Sequence, residues 1–497
     1  MLQTLNSVIG ESEIMVLDAG KIVIHQIGPW IDKHLERNPQ CIQQFPANRT
    51  EFLPLPNGVR IPSVHKDGTV TWNQVTAVTR HEPLGDLVKI KTRSGRTVTA
   101  TQQKSFLVWD GLSFQSANGS TLKVGDKVPL VFSHRVSASD LCTHLRVQDT
   151  LPPTQVVFGS QVHFAYDLWR NKKNSDAAWW REHHGTTFVT PFSRVDSLVH
   201  FFRTQMDHVL PTTVYPHHAV RVTSIIPEEI PLDREFGFLV GIYLAEGWCT
   251  QTFMGISNRC SMIRERIVAW CDAHRIGHHL VVTRSTQFRN RVSEDLKIHS
   301  VLLARLFLAL FNTGSPNKKL PGCIIQAPLD CVCGVLDGYF SGDGTVSLKQ
   351  CSVLASSASR TLLEGISILL SRIGVFAVIR GHQPKGNNVG SQNLHYANVL
   401  SVNNHFVSVL SRHVSFTEPN KQARLERWDK KQRGGYGRLY FPQGDVIPDP
   451  IETIEWVKSK EYVYDLTVEG PKTFVLFNGL GMDDTFHLSG VGNKNIR

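Results

Sequence analysis

Asp86-Leu87-Val88-Lys89-Ile90-Lys91-Thr92 alternates apolar and polar positions with a period of two, as a half-buried strand does. Ser94-Gly95 then supplies a turn, and Thr97 to Thr101 continues as the partner strand. Phe106-Leu107-Val108-Trp109 stops at an Asp110-Gly111 turn, and Leu122-Lys123-Val124-Gly125-Asp126 turns into a further strand. Far along the chain, Val463-Tyr464-Asp465-Leu466-Thr467-Val468 alternates in the same way. The outer parts of the chain therefore read as one all-β domain, split by an insertion.

Between residues 232 and 430 the pattern becomes helical and repeats itself. Leu239-Val240-Gly241-Ile242-Tyr243-Leu244-Ala245-Glu246-Gly247 matches Leu336-Asp337-Gly338-Tyr339-Phe340-Ser341-Gly342-Asp343-Gly344, offset by 97 residues (246 to 343). Arg275-Ile276-Gly277 and Arg372-Ile373-Gly374 keep that offset, and Pro316-Asn317-Lys318 parallels Pro419-Asn420-Lys421 at a slightly longer one. Three landmarks in one order predict a duplicated αβ unit. Residues 131–231 are less legible. Arg170, Lys172, Lys173, Trp179-Trp180 and the pairs His183-His184 and His217-His218 leave two readings open. One is an accessory, DNA-contacting region; the other is a solvated region with core tryptophans. The histidine pairs have no acidic or thiol companion at ligand spacing. Lys430 to Arg438 reads as a flexible linker back to the β domain.

Composition narrows this picture only a little. The 497 residues, 41% hydrophobic and 19% charged, describe a globular protein of several domains. There is no long uncharged apolar run and no signal segment, so neither membrane insertion nor secretion is expected. Nine cysteines without framework spacing point to a reducing compartment, and Cys331 and Cys333 read as buried thiols. A net charge of +10 fits a nucleic-acid partner, because neutralising phosphates releases counterions, but equally fits a solvated surface.

The duplicated motifs carry candidate chemistry. Each repeat opens with a helix rich in small residues that ends in an acidic residue and glycine. Small residues let two helix backbones approach closely, which would set Glu246 and Asp343 side by side. Two adjacent carboxylates repel unless they share a cation, which makes a site for Mg²⁺ able to assist phosphodiester cleavage. This pair of motifs resembles the LAGLIDADG homing endonucleases. The resemblance implies two pseudo-symmetric αββαββα repeats over 232–430, with sheets forming a saddle on double-stranded DNA at a site in the uninterrupted host gene. It also implies a catalytic lysine in a Lys-x-Leu/Ile-Pro element, here Lys318-Lys319-Leu320-Pro321, with Lys421 as its counterpart in the second repeat. Glu246 departs from the commoner aspartate. The alternative is that the two helices form only an interface.

The two ends read as halves of one interrupted sequence. Met1-Leu2-Gln3-Thr4-Leu5-Asn6 and Thr485-Phe486-His487-Leu488-Ser489-Gly490 joined together resemble a segment of the largest subunit of eukaryotic-type RNA polymerases. Hydroxyl residues, Ser7 and Thr485, follow each junction. Ser7 to Ile14, Thr97 to Lys104, Glu461 to Phe474 and Asn478 to Thr485 resemble the sequence blocks of inteins, whose Hint fold is all-β. The resemblance divides the chain into flank 1–6, splicing domain 7–130, accessory region 131–231, endonuclease 232–430, splicing domain 431–484 and flank 485–497. It implies that Ser7 Oγ attacks the Asn6 carbonyl and that Thr485 takes the acyl group. Release then occurs at Asp484, with Thr101 polarising the Asn6 carbonyl and no cofactor required. Lys104, Asp483 and Lys472 stand where the family often has histidine, and Asp484 replaces the terminal asparagine. Lys104 retains a hydrogen-bond donor, and Asp465 is a further acid/base candidate. Three readings stay open: a splicing element with a cyclic-anhydride release step, an element that stalls or only cleaves, and a DNA nuclease or DNA-binding protein on an ordinary β scaffold. We expect a monomer, inside the nucleus or cytoplasm of a eukaryote or of its large DNA virus.

Overall fold

The two residues after Ser7 form a short strand, Val8–Ile9, held antiparallel between Thr97–Ala100 and Val463–Val468. The segment after Ser7 and the strand Val463–Val468 thus meet in a twelve-stranded sheet. In it Val446–Val457 lies between Lys127–Val131 and Leu87–Thr92, while Val463–Val468 pairs on its other side with the long strand Val70–His81. A second sheet runs Phe114–Ala117, Phe106–Trp109, Gly481–Asp483, Thr473–Val475, which brings the last residues before the second junction against the N-terminal half. This computed structural model describes residues 7–46, 49–103, 105–151, 156–158, 213–216, 226–227, 229–274, 276–284, 292–382, 397–431 and 440–484.

The expected strands form where alternation marks them. Leu87–Thr92 pairs with Thr97–Ala100 in the register Lys91↔Thr97. The turn between them needs Gly95, whose φ is +86°. A Cβ at Gly95 would also sit 1.8 Å from the Ile379 carbonyl oxygen, so this turn is pressed against the insertion at backbone distance. Beside it the Arg96 guanidinium is fully buried, donating to Ser367 Oγ at 2.7 Å and to the carbonyls of Ser94 and Asn478. Gln326 makes a second polar seam. Its Oε1 accepts from Ile22 N at 2.9 Å and its Nε2 donates to the carbonyls of Gly20 and Asp140.

The insertion is not simply helical. Its first repeat runs helix Arg234–Glu246, strands Gly247–Cys249 and Met254–Ser257, helix Ser261–Ala273, strands Gly277–Arg284 and Val292–His299, helix Val301–Phe311. The second repeats that order: Leu329–Asp343, Gly344–Val346, Ser352–Ser357, Arg360–Arg372, Val378–His382, Ala397–Asn403, His405–Ser411. In both four-stranded sheets the order in space is first, second, fourth, third. The strands escape a reading of periodicity because one face is wet. Most of Gly277–Arg284 is exposed or half-buried, including Leu280 and Val282, so apolar residues do not mark an inner face.

The two motif helices pack backbone to backbone. A Cβ on Gly241 would lie 2.1 Å from the Val335 carbonyl oxygen, and one on Gly338 would lie 2.3 Å from that of Phe238. Asp233 caps the first helix by accepting from Phe236 N at 2.8 Å. Cys331 and Cys333 are buried here as free thiols, as expected.

Part of the 131–231 region belongs to the core. His144–Arg146 pairs with Glu229–Pro231, and Val147, Leu151, Ile226 and Ile230 are buried. Arg170, Lys172, Lys173, the tryptophan pair and the histidine pairs 183–184 and 217–218 lie outside the described residues. So do residues 432–438 of the expected linker, whereas its first two residues end the helix Pro419–Lys431. Among the described residues, no helix is long and apolar enough to cross a membrane.

Candidate functional site

Strand pairing delivers Ser7 into a buried polar pocket. Its carbonyl accepts from Thr101 N at 2.9 Å, and its own N donates to Thr101 Oγ1 at 3.1 Å. Thr101 Oγ1 is in turn 2.9 Å from Ser105 Oγ. Ser7 Oγ lies 2.8 Å from His81 Nε2 at the end of the Val70–His81 strand, and all four side chains are buried. His81 Nδ1 is 2.7 Å from the Glu82 carbonyl oxygen. Burial pushes the His81 imidazole down to about 4 against that carbonyl's opposing effect, which leaves it neutral.

The second junction sits in the adjacent sheet. Asp483 N donates to the Ser105 carbonyl at 3.2 Å, so the Thr101–Ser105 segment touches both junctions. Asp484 is buried; its N donates to the Lys472 carbonyl at 2.7 Å, and its Oδ2 accepts from Val468 N at 2.5 Å. Asp465 lies on the same strand as Val468 and is also buried. Burial, then the charges of Asp484 and Asp483, hold the Asp465 carboxyl well above the usual range. The structure thus brings Ser7 to Thr101, and Asp465 near Asp483 and Asp484, with Ser105 between the two groups. Lys104 and Thr485 lie outside the described residues.

His81 and Ser105 belong to this pocket without having been singled out in the sequence. The signal for His81 is a polar residue ending a run whose Val75, Ala77 and Thr79 are buried at period two. Ser105 carries no such signal, because its role depends on a cross-strand approach.

In the insertion, Glu246 and Asp343 end the two close-packed helices. Burial, then the neighbouring Glu246 charge, pushes the half-buried Asp343 carboxyl up to about 7, with Lys318 and Lys421 acting the other way. Burial also raises Glu246, opposed by the same two lysines and by Asn258. The four predicted residues thus form one electrostatic cluster. Lys318 is buried beneath it, donating to the carbonyls of Tyr243, Leu244 and Ala245 at 2.8, 3.1 and 3.4 Å. Burial lowers its ammonium to about 8, while Asp343 and Glu246 hold it up. Lys421 Nζ donates to the Ser341 carbonyl at 3.1 Å, the position 97 residues after Leu244 (244 to 341). Each lysine therefore closes the last turn of one motif helix. Among the described residues, no group of three or more His, Cys, Asp and Glu side chains forms a metal site.

A β domain that gathers two chain junctions around a buried serine, interrupted by a duplicated αβ unit, is the architecture of a protein that processes its own ends. The chain belongs to the intein splicing domain family, whose model matches residues 57–481. Along 98% of its length it is 26% identical to the DNA-directed RNA polymerase subunit Rpo1C of Methanocaldococcus jannaschii, covering 56% of that protein. It is 24% identical to a DNA polymerase of Thermococcus hydrothermalis, over 96% of this chain and 32% of that one. The chain thus spans about half or less of the curated relatives it matches. Among solved structures, the transcription factor IIB Mvu mini-intein is similar at 18% identity, over 28% of this chain and 74% of that one, with a TM-score of 0.25. I-DmoI in complex with DNA and Ca is similar at 14% identity, over 39% and 98%, with a TM-score of 0.29. These relatives correct one expectation. Methanocaldococcus and Thermococcus are archaea, which have no nucleus, so the placement in a eukaryote or its virus, drawn from a short flank match, is not supported.

Proposed function

We propose that this intein splices itself from the largest subunit of an RNA polymerase and also cuts DNA at a specific site. Ser7 Oγ attacks the Asn6 carbonyl, exchanging an amide for an ester, and Thr485 Oγ takes the acyl group. Asp484 then breaks its bond to Thr485 by attacking its own carbonyl, forming a cyclic anhydride that water reopens. The supporting observation is the joint burial of Ser7 and Asp484 in pockets bridged by Ser105. Thr101 N and Oγ1, hydrogen-bonded to Ser7, hold the nucleophile's backbone in place, and Thr101 takes the role of polarising the Asn6 carbonyl. Lys104 donates a hydrogen bond in place of histidine, and Asp483 assists at the release step. Asp465, whose carboxyl burial holds above the usual range, can protonate a departing group beside Asp484.

The incubated full chain should yield the six-residue and thirteen-residue flanks joined as one peptide, with the insert released, by mass spectrometry. Separate flanks would instead support the cleavage-only reading, which the carboxylate at Asp484 favours because it lacks an amide nucleophile. Thr485→Ala should block joining and spare cleavage at Ser7.

The second activity is that of a LAGLIDADG homing endonuclease acting as a monomer on double-stranded DNA from the uninterrupted polymerase gene. Its support is the Glu246/Asp343 pair at the ends of two glycine-packed helices. Glu246 and Asp343 would hold Mg²⁺, which when bound stabilises charge on the phosphodiester oxygens. Lys318 and Lys421 temper the carboxylate charge between them. A discrete double-strand cut that persists in Glu246→Gln plus Asp343→Asn would overturn this assignment.

A further inference from the structure

Among the described residues, the buried His81 touches the reacting serine, and neither motif nor family block accounts for it. Its two ring nitrogens have different neighbours. Nδ1 lies 2.7 Å from the Glu82 carbonyl oxygen, which can only accept, so Nδ1 carries the hydrogen of the neutral ring. Nε2 is then a lone pair, and the Ser7 hydroxyl 2.8 Å away donates to it. The Glu82 carbonyl fixes both tautomer and ring orientation, the function a third group serves in a nucleophile–base pair. Position 81 is held from behind as well. It ends the Val70–His81 strand opposite Val463, in the ladder that carries Asp465 opposite Thr79. Burial keeps the imidazole uncharged and able to accept a proton.

A hydroxyl needs such help. Ser7 Oγ is a weak nucleophile at neutral pH, and the residue in the usual histidine position, Lys104, carries no lone pair while protonated. We propose that His81 is the proton shuttle of the first splicing step, taking the Ser7 Oγ proton as that oxygen bonds to the Asn6 carbonyl carbon and returning it to the Ser7 nitrogen as the carbon–nitrogen bond breaks. The step is an isomerisation of amide to ester, so atoms balance without a co-reactant and His81 ends neutral. The imidazolium forms only while the oxyanion develops beside it, and that charge offsets the cost of protonating a buried ring. This inference rests on the reading of Ser7 as the nucleophile.

The test uses the full chain carrying Thr485→Ala, treated with hydroxylamine. Hydroxylamine traps the Ser7 ester as a hydroxamate of the Met1–Asn6 flank, quantified by mass spectrometry. Trapping in this parent above a Ser7→Ala control establishes the nucleophile; trapping no greater than the control overturns both that reading and this proposal. Given trapping, His81→Gln retains an acceptor for the Ser7 hydroxyl but no usable base. It should slow trapping by about 100-fold or more, the range of general-base catalysis. A rate within threefold of the parent would overturn the shuttle and leave Ser7 as nucleophile. Should His81→Gln also lower the melting temperature, His81→Gly with added imidazoles decides. Rescue that rises with the basicity of the imidazole supports proton transfer, whereas rescue indifferent to basicity, or none, sinks it.

Discussion

Asp484 concentrates the question of whether the two flanks are rejoined. Its carboxylate accepts from Val468 N at 2.5 Å, on the strand that also carries Asp465, so its orientation is set by the strand beside it. An asparagine placed there keeps the same acceptor through Oδ1 and adds an amide nitrogen that cyclises without an anhydride. Asp484→Asn should therefore speed release by about tenfold or more, roughly 1.4 kcal/mol of barrier. An unchanged rate would move the bottleneck to another step. Lys318 poses a different residue-scale case. With three carbonyl acceptors and almost no solvent contact, it completes a helix end as well as neighbouring Asp343. Lys318→Met leaves those carbonyls unpaired and should cost about 1–3 kcal/mol in urea unfolding. Lys421→Met, at a half-buried position with a carbonyl contact to Ser341, should cost less. Equal losses would count against the capping role.

At the level of elements, the paired motif helices decide where the carboxylates stand. Their backbones meet at Gly241 and Gly338, where any side chain would enter a carbonyl of the facing helix. Gly241→Val should therefore force the helices apart, destabilise the chain by about 2 kcal/mol or more, and abolish DNA cleavage with it. A variant that melts normally and still cuts would show that the close approach is dispensable. The duplicated order of helices and strands was legible because the motif, the Arg-Ile-Gly landmark and the lysine all recur. Strand content came only through the family resemblance, not through periodicity. With both exposed and half-buried positions along its length, Gly277–Arg284 lacks the alternation that reveals Leu87–Thr92. The helix Ile27–Arg37 and the strand Val70–His81 were missed too, and the latter carries His81.

Across the whole molecule, buried histidines make the fold sensitive to acid. His134 is buried against Trp72, ring centroids 5.3 Å apart, and burial followed by the Arg372 charge pushes it down to about 3. Between pH 6.5 and that value the unfolded chain binds a proton that the folded chain refuses, so stability falls as pH falls through this window. The slope is about 1.4 kcal/mol per pH unit for one such group. Raised carboxyls such as Asp465 act in the opposite sense, since the folded state holds their proton at higher pH. The comparison of wild type with His134→Gln isolates the histidine. The melting temperature of the variant should fall less on going from pH 6.5 to 4; parallel curves would show that His134 is charged in the folded state.

Residue types and order along the chain sufficed for the chemistry: a hydroxyl after each junction, an acidic residue closing each duplicated helix, an aspartate where an amide nucleophile usually stands. Such features are local, and local sequence carries them. Which groups touch was decided by tertiary structure. Ser7 meets His81 only because Val463–Val468 lies between the strands that carry them, and Thr101 and Asp483 share Ser105 only because two sheets abut. Periodicity records which face of a strand is buried and not which strand lies beside it. The groups that complete the pocket were therefore the ones left for the fold to identify.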